Sequence, residues 1–155
     1  MLIMFFLVGF VFFMQSSETY AAEFNIYEKS GYSVEEFNAM LANTNLANHG
    51  EAFKNMEDTH NVNGIYAMSV AALESGFESR KLNSSNNIFG MMSKGKLIKY
   101  SSISENINAF GSLMNKSIYK GKPISKIAKT YCPPNATKWE STVCAKYEQF
   151  SSKAR

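Results

Sequence analysis

Cysteine and histidine are scarce, with two of each in 155 residues. His49 and His60 lie far in sequence from Cys132 and Cys144, and no ligand spacing recurs, so no metal site is expected. No cofactor is expected either. There is no internal repeat and no low-complexity linker, which leaves a single domain of ordinary size. A strong charge bias is missing too. Sixteen Lys and Arg face thirteen Asp and Glu for a net +3, and the basic residues are scattered. A nucleic-acid footprint would show a dense basic stripe, so nucleic acid is excluded as a partner. The apolar and aromatic content is that of a chain that closes its own core.

The one unbroken apolar run, Leu2 to Met14, is too short for a membrane span of about 20 residues. It fits the hydrophobic part of a secretory leader, although no Lys or Arg precedes it. Thr19-Tyr20-Ala21 offers small residues at both positions that a signal peptidase reads. Cleavage is therefore expected after Ala21, leaving residues 22–155 as the exported domain. A buried N-terminal helix and an uncleaved membrane anchor are the alternatives. Loss of the leader removes Glu18 and no basic residue, so the positive excess grows by one charge. That excess favours residence near an anionic polymer such as a cell wall. In an exported chain, Cys132 and Cys144 suggest one disulfide, with two buried thiols as the alternative.

Hydrophobic patterning and caps predict short helices. Ser33-Val34-Glu35-Glu36 reads as a capping box opening a helix to about Leu41. Ser102-Ile103-Ser104-Glu105 opens another to about Asn115, and Thr137-Lys138-Trp139-Glu140 a last one to about Phe150. Glu51 to His60 and Ile124 to Thr130 also read as helical. Gly64 to Ser75 has almost no polar surface, as a central helix surrounded by others would, and Gly76 stops it. Met91-Met92 and Leu97 to Tyr100 flank Ser93-Lys94-Gly95-Lys96, a small hairpin. The expected fold is mainly α with one small β excursion.

Glu74 is the residue of greatest chemical interest. It falls in the last turn of the central helix, where unpaired carbonyls make the potential negative. That potential and partial burial both disfavour the carboxylate and hold the proton on. A glycosidase needs such a carboxyl as its general acid.

The run Glu74-Ser75-Gly76-Phe77, followed by Asn86-Asn87-Ile88-Phe89-Gly90-Met91, resembles the peptidoglycan N-acetylglucosaminidases of glycoside hydrolase family 73, in the lysozyme-like superfamily. Upstream, Tyr32 to Asn38, Gly50 to Phe53 and Asn61 to Tyr66 resemble that family's helices leading to the catalytic one. Downstream, Tyr100-Ser101-Ser102 with Glu105-Asn106-Ile107 resembles a further family segment, and Tyr131 with Trp139 and Val143 its closing tyrosine motif. The resemblance implies a lysozyme-like fold and peptidoglycan glycan strands as substrate. It assigns Glu74 as the catalytic acid and places Tyr131 beside it. Asn86, Asn87, Phe89 and Gly90 match a loop that shapes the cleft, and Tyr100 is a further candidate for sugar contact. Trp139 is read as core packing. Some members carry a second acid in a longer insertion, but no Asp or Glu lies between Met91 and Tyr100. Glu78 and Glu105 are the remaining candidates.

The implied protein is a secreted, wall-associated monomer that hydrolyses the β-1,4 bond after N-acetylglucosamine. A lytic transglycosylase is the nearest rival, since Glu-Ser-Gly-Phe and Gly-Met-Met partly resemble its pattern. A wall-binding or assembly protein on a degenerate hydrolase fold is the reading from another class.

Overall fold

The computed structural model describes residues 24–76 and 85–153. The expected leader, Glu78 and the rest of the 77–84 segment lie outside the described residues. Within them run α1 (Val34–Leu41), α2 (Gly50–His60), α3 (Gly64–Ser75), β1 (Met92–Ser93), β2 (Lys96–Leu97), α4 (Ile103–Met114), α5 (Ile124–Tyr131), a 3-10 turn (Pro133–Asn135) and α6 (Ala136–Lys153). The architecture is mainly α with one two-stranded antiparallel hairpin, as expected, with Met92 paired to Leu97 and Ser93 to Lys96.

α3 is the axis of the molecule. Ile65, Tyr66, Ala67, Met68, Val70 and Ala71 are fully buried, and even Ser69 is buried with its hydroxyl turned back onto the Ile65 carbonyl. A helix apolar on every side must be enclosed on every side, and α2, α4 and α6 pack around it. Asn63 caps its start by accepting from the Tyr66 N–H at 3.0 Å. Gly76, at φ 61°, ends it.

The three anticipated capping boxes fare differently. Ser33 and Glu36 form the full reciprocal pair. Ser102 accepts from the Glu105 N–H, but the Glu105 carboxylate reaches back one residue further, to the N–H and hydroxyl of Ser101. Thr137 caps nothing. The prolines start the helical path earlier, as a 3-10 turn that runs directly into α6, so Thr137 is already helical.

The expected disulfide is not formed, and both cysteines are free thiols. Cys132 ends α5 at the apex of the α5–α6 hairpin, whereas Cys144 lies inside α6. From the start of α6 to Cys144 the axis advances about 12 Å, more than the roughly 7 Å between Cα atoms that a bridge can span. Cys144 is buried and serves as a small apolar side chain.

Candidate active site

Glu74 sits in the last turn of the enclosed helix, at the molecular surface. Much of its side chain remains open to solvent, but its carboxyl is hemmed in. Oε1 accepts a hydrogen bond of 2.8 Å from the Trp139 indole N–H. Oε2 lies on the Gly90 side, 3.9 Å from where a β-carbon on that glycine would stand. Burial pushes the Glu74 pKa above the ordinary carboxyl value, and the Trp139 hydrogen bond offsets part of the rise. Burial is therefore the main cause of proton retention.

Trp139 comes from the first turns of α6 and is 4% exposed. Its ring stands 5.2 Å, centroid to centroid, from that of Tyr131, at the end of α5. The Tyr131 hydroxyl donates to the Phe89 carbonyl at 3.0 Å. Burial, and then the negative charge of Glu74, push the Tyr131 pKa well above the ordinary tyrosine value. Tyr131 thus stays a neutral phenol beside the acid, with its proton engaged on the loop that carries Gly90.

The loop residues divide by depth. Asn87 is fully buried. Its amide donates to the Met91 and Ile98 carbonyls at 2.8 and 2.9 Å, and its oxygen accepts from the Met91 N–H at 2.9 Å. It clasps the root of the hairpin and has no surface for a sugar. Phe89 is buried as well, stacked on Phe110 with centroids 4.0 Å apart. Both expected sugar contacts are therefore corrected to scaffold. Asn86, at φ 51°, ties the loop to the Tyr100 carbonyl at 3.0 Å. Tyr100 is half-buried, and its hydroxyl meets the Met91 sulfur at 3.4 Å. Of the loop positions singled out from sequence, Gly90 is the one that fronts the acid and is exposed.

Glu105 is engaged as a capping carboxylate. The Ser101 hydroxyl and N–H hold its carboxylate at the start of α4 and keep its pKa below the usual carboxyl range. Trp139 is packed in the core as expected, and what the sequence did not show is that its indole also donates to Glu74. Its place in the Tyr131–Trp139 motif was the available signal, but nothing in the residue type separates a core indole from one that donates to an acid.

A cavity of about 720 Å³ is bounded by Phe24 to Tyr27, Gly121 to Ser125, Glu140 and Cys144. None of the residues around Glu74 lines it, so cavity size does not point to the chemistry here; the hydrogen-bonded acid does. Among the described residues, no three His, Cys, Asp or Glu side chains gather as metal ligands.

No protein-family model matches the chain, and no curated protein does. Solved structures do. A catalytic glutamate-to-alanine mutant of S. aureus Autolysin E, in complex with the disaccharide NAG-NAM, superposes with a TM-score of 0.68 at 17% identity, covering 84% of this chain and 71% of the other. Autolysin E itself matches with a TM-score of 0.62 at 20% identity, over 83% and 72%. The chain, built around one enclosed helix with an acid in its last turn, shares the fold of Autolysin E.

Proposed function

We propose that this protein is an exported peptidoglycan hydrolase of the glycoside hydrolase 73 type, with Glu74 as its general acid. The observation that carries the reading is the Trp139–Glu74 hydrogen bond. An indole N–H can only donate, so Oε1 is the accepting oxygen and the proton of the neutral acid resides on Oε2. That oxygen faces Gly90, whose missing side chain leaves room for a sugar. Autolysin E, crystallised as a catalytic mutant with NAG-NAM, supplies a precedent for a wall disaccharide on this fold.

In the reaction, Oε2 gives its proton to the glycosidic oxygen as the bond to the anomeric carbon breaks. No second carboxylate is assigned among the described residues. The 2-acetamido carbonyl of N-acetylglucosamine is the natural internal nucleophile, in the substrate-assisted manner. Water then opens the cyclic intermediate and returns a proton to Glu74. Tyr131 acts by holding the Phe89-Gly90 backbone through its hydroxyl. The slight positive charge of the chain suits a wall-associated protein.

Mass spectrometry of muropeptides released from purified walls tests the reading. Free reducing ends at N-acetylglucosamine are expected. A 1,6-anhydro product, lighter by one water, would instead establish the transglycosylase. Glu74→Gln should keep the fold and lower turnover about 100- to 10,000-fold. Undiminished release by that variant would remove Glu74 from its role, and no release by either protein would favour a wall-binding module.

A further inference from the structure

The β1–β2 hairpin has features that bond cleavage leaves unused. Its two-residue turn places Lys94 at φ 48° and Gly95 at φ 76°. Positive φ at both central positions is the geometry that matches hairpin twist, and it calls for Asn, Asp or Gly. Four other described non-glycine residues have positive φ, and all are asparagines: Asn43, Asn48, Asn61 and Asn86. Lys94 alone holds a long side chain in a conformation that disfavours it. Turn formation does not explain a lysine there.

Lys96 and Lys99 follow within five residues. All three lysines are exposed, and the ion pairs formed among the described residues involve other lysines. No Asp or Glu occurs from residue 85 to 104. Met92 and Leu97, directly paired across the strands, are 61% and 54% exposed. The hairpin thus joins a cationic tip to an apolar cross-strand pair. Through Asn87 its root is fastened to the same loop that brings Gly90 to Glu74.

We infer that this hairpin is a specificity element for the stem peptide of the wall polymer. Lys94 and Lys96 pair with the peptide's free carboxylates, and Met92 and Leu97 pack on its alkyl side chains. The inference rests on the peptidoglycan reading above. A peptide-free glycan strand offers hydroxyl and acetamide groups and a lactyl carboxylate on each muramic acid, but no alkyl side chains for the apolar pair. The stem peptide offers carboxylates and methyl groups together, and it is linked to the strand that Glu74 would cut, so a rigidly placed hairpin can meet it. An anionic lipid surface matches the charge but has no fixed relation to the acid.

Lys94→Asn is the decisive variant, because it installs the residue found at the other left-handed positions while deleting the charge. Its Tm should equal or exceed that of the parent. The ratio of KM on peptide-bearing glycan to KM on glycan stripped by an amidase, its freed lactyl carboxylates then blocked by amidation, should rise about three- to fivefold, the scale of an exposed charge contact. An unchanged ratio overturns the inference. A second arm works without cleavage. In a Glu74→Gln background, binding to insoluble peptidoglycan is compared before and after its carboxylates are amidated. Amidation should weaken binding of the Lys94 protein, and Lys94→Asn should abolish the difference. If that discrimination is present while the parent protein cleaves nothing, the hydrolase reading fails and the hairpin assignment stands. If the parent cleaves but amidation has no effect, the hairpin assignment fails alone. Binding to phosphatidylglycerol vesicles that Lys94→Asn removes, with no sensitivity to amidation, would reassign the tip to a lipid surface and overturn the inference.

Discussion

A carboxyl proposed as a general acid is poised between opposing influences, and at Glu74 both have named sources. Burial raises its pKa, and the Trp139 N–H lowers it by favouring the carboxylate. A general acid works only while protonated, so the rate should fall as pH climbs through the Glu74 pKa. Trp139→Phe removes the donor and keeps most of the ring. The pKa should then rise, and the alkaline limb of the kcat/KM profile should move to higher pH. The maximal rate should drop about tenfold or more, because either carboxyl oxygen can then carry the proton and only one faces the substrate. A limb that stays in place while the rate falls would show that Trp139 merely supports the fold. This pair also shows what a sequence hides. Glu74 was legible as a residue of the central helix's last turn, from the apolar run and Gly76. Its partner lies 65 residues away, and an indole on an apolar helix face looks the same whether or not its nitrogen has work. Asn87 shows the converse: its amide suits a sugar, but only coordinates reveal that backbone groups occupy it.

Helices and the hairpin were the readable parts, and the reasons are local. α1 begins at a complete capping box, α3 is apolar on all sides, and Met92 and Leu97 pair across a turn that Gly95 permits. The last helix starts earlier than its Thr-x-x-Glu signal because the preceding prolines already set a helical path. The expected bridge failed for a related reason, since continuous helix separates Cys144 from the hairpin apex. The clasp that joins loop to hairpin was illegible, because it depends on a buried amide bridging residues 87, 91 and 98. Asn87→Ala should expose how much depends on it. The substitution removes three hydrogen bonds; the Met91 carbonyl keeps the Ile98 N–H at 3.0 Å, while the Ile98 carbonyl and the Met91 N–H lose their side-chain partner, a loss of about 2–4 kcal/mol. Urea unfolding should report that loss. Activity should fall further than the unfolded fraction accounts for, since the same loop positions Gly90 and anchors Tyr131. Activity that simply tracks the folded fraction would mean the cleft does not need the clasp.

The arrangement of the whole molecule follows from how closely the other helices approach α3, and that closeness is set at its first residue. A β-carbon on Gly64 would stand 2.5 Å from the Phe37 ring of α1 and 3.2 Å from the Glu57 carboxylate of α2. Glu57 is fully buried, and its Oε2 accepts from the N–H groups of both Ser30 and Gly64, so one side chain joins the N-terminal segment, α2 and α3. Nothing in the local pattern around Glu57 announced a buried carboxyl, because its partners come from other segments. Gly64→Ala should therefore be destabilising by about 1–3 kcal/mol through overpacking, measured as a lowered urea midpoint with an unchanged slope. The acid lies ten residues further along the same helix, about 15 Å away by helical rise, and its pKa is governed by groups at that far end. The alkaline limb of the activity profile should accordingly stay where it is in the fraction that folds. A shifted limb would show that α3 slides as a rod when its first turn is displaced, and that the placement of the Glu74 proton depends on the packing at both ends of the helix.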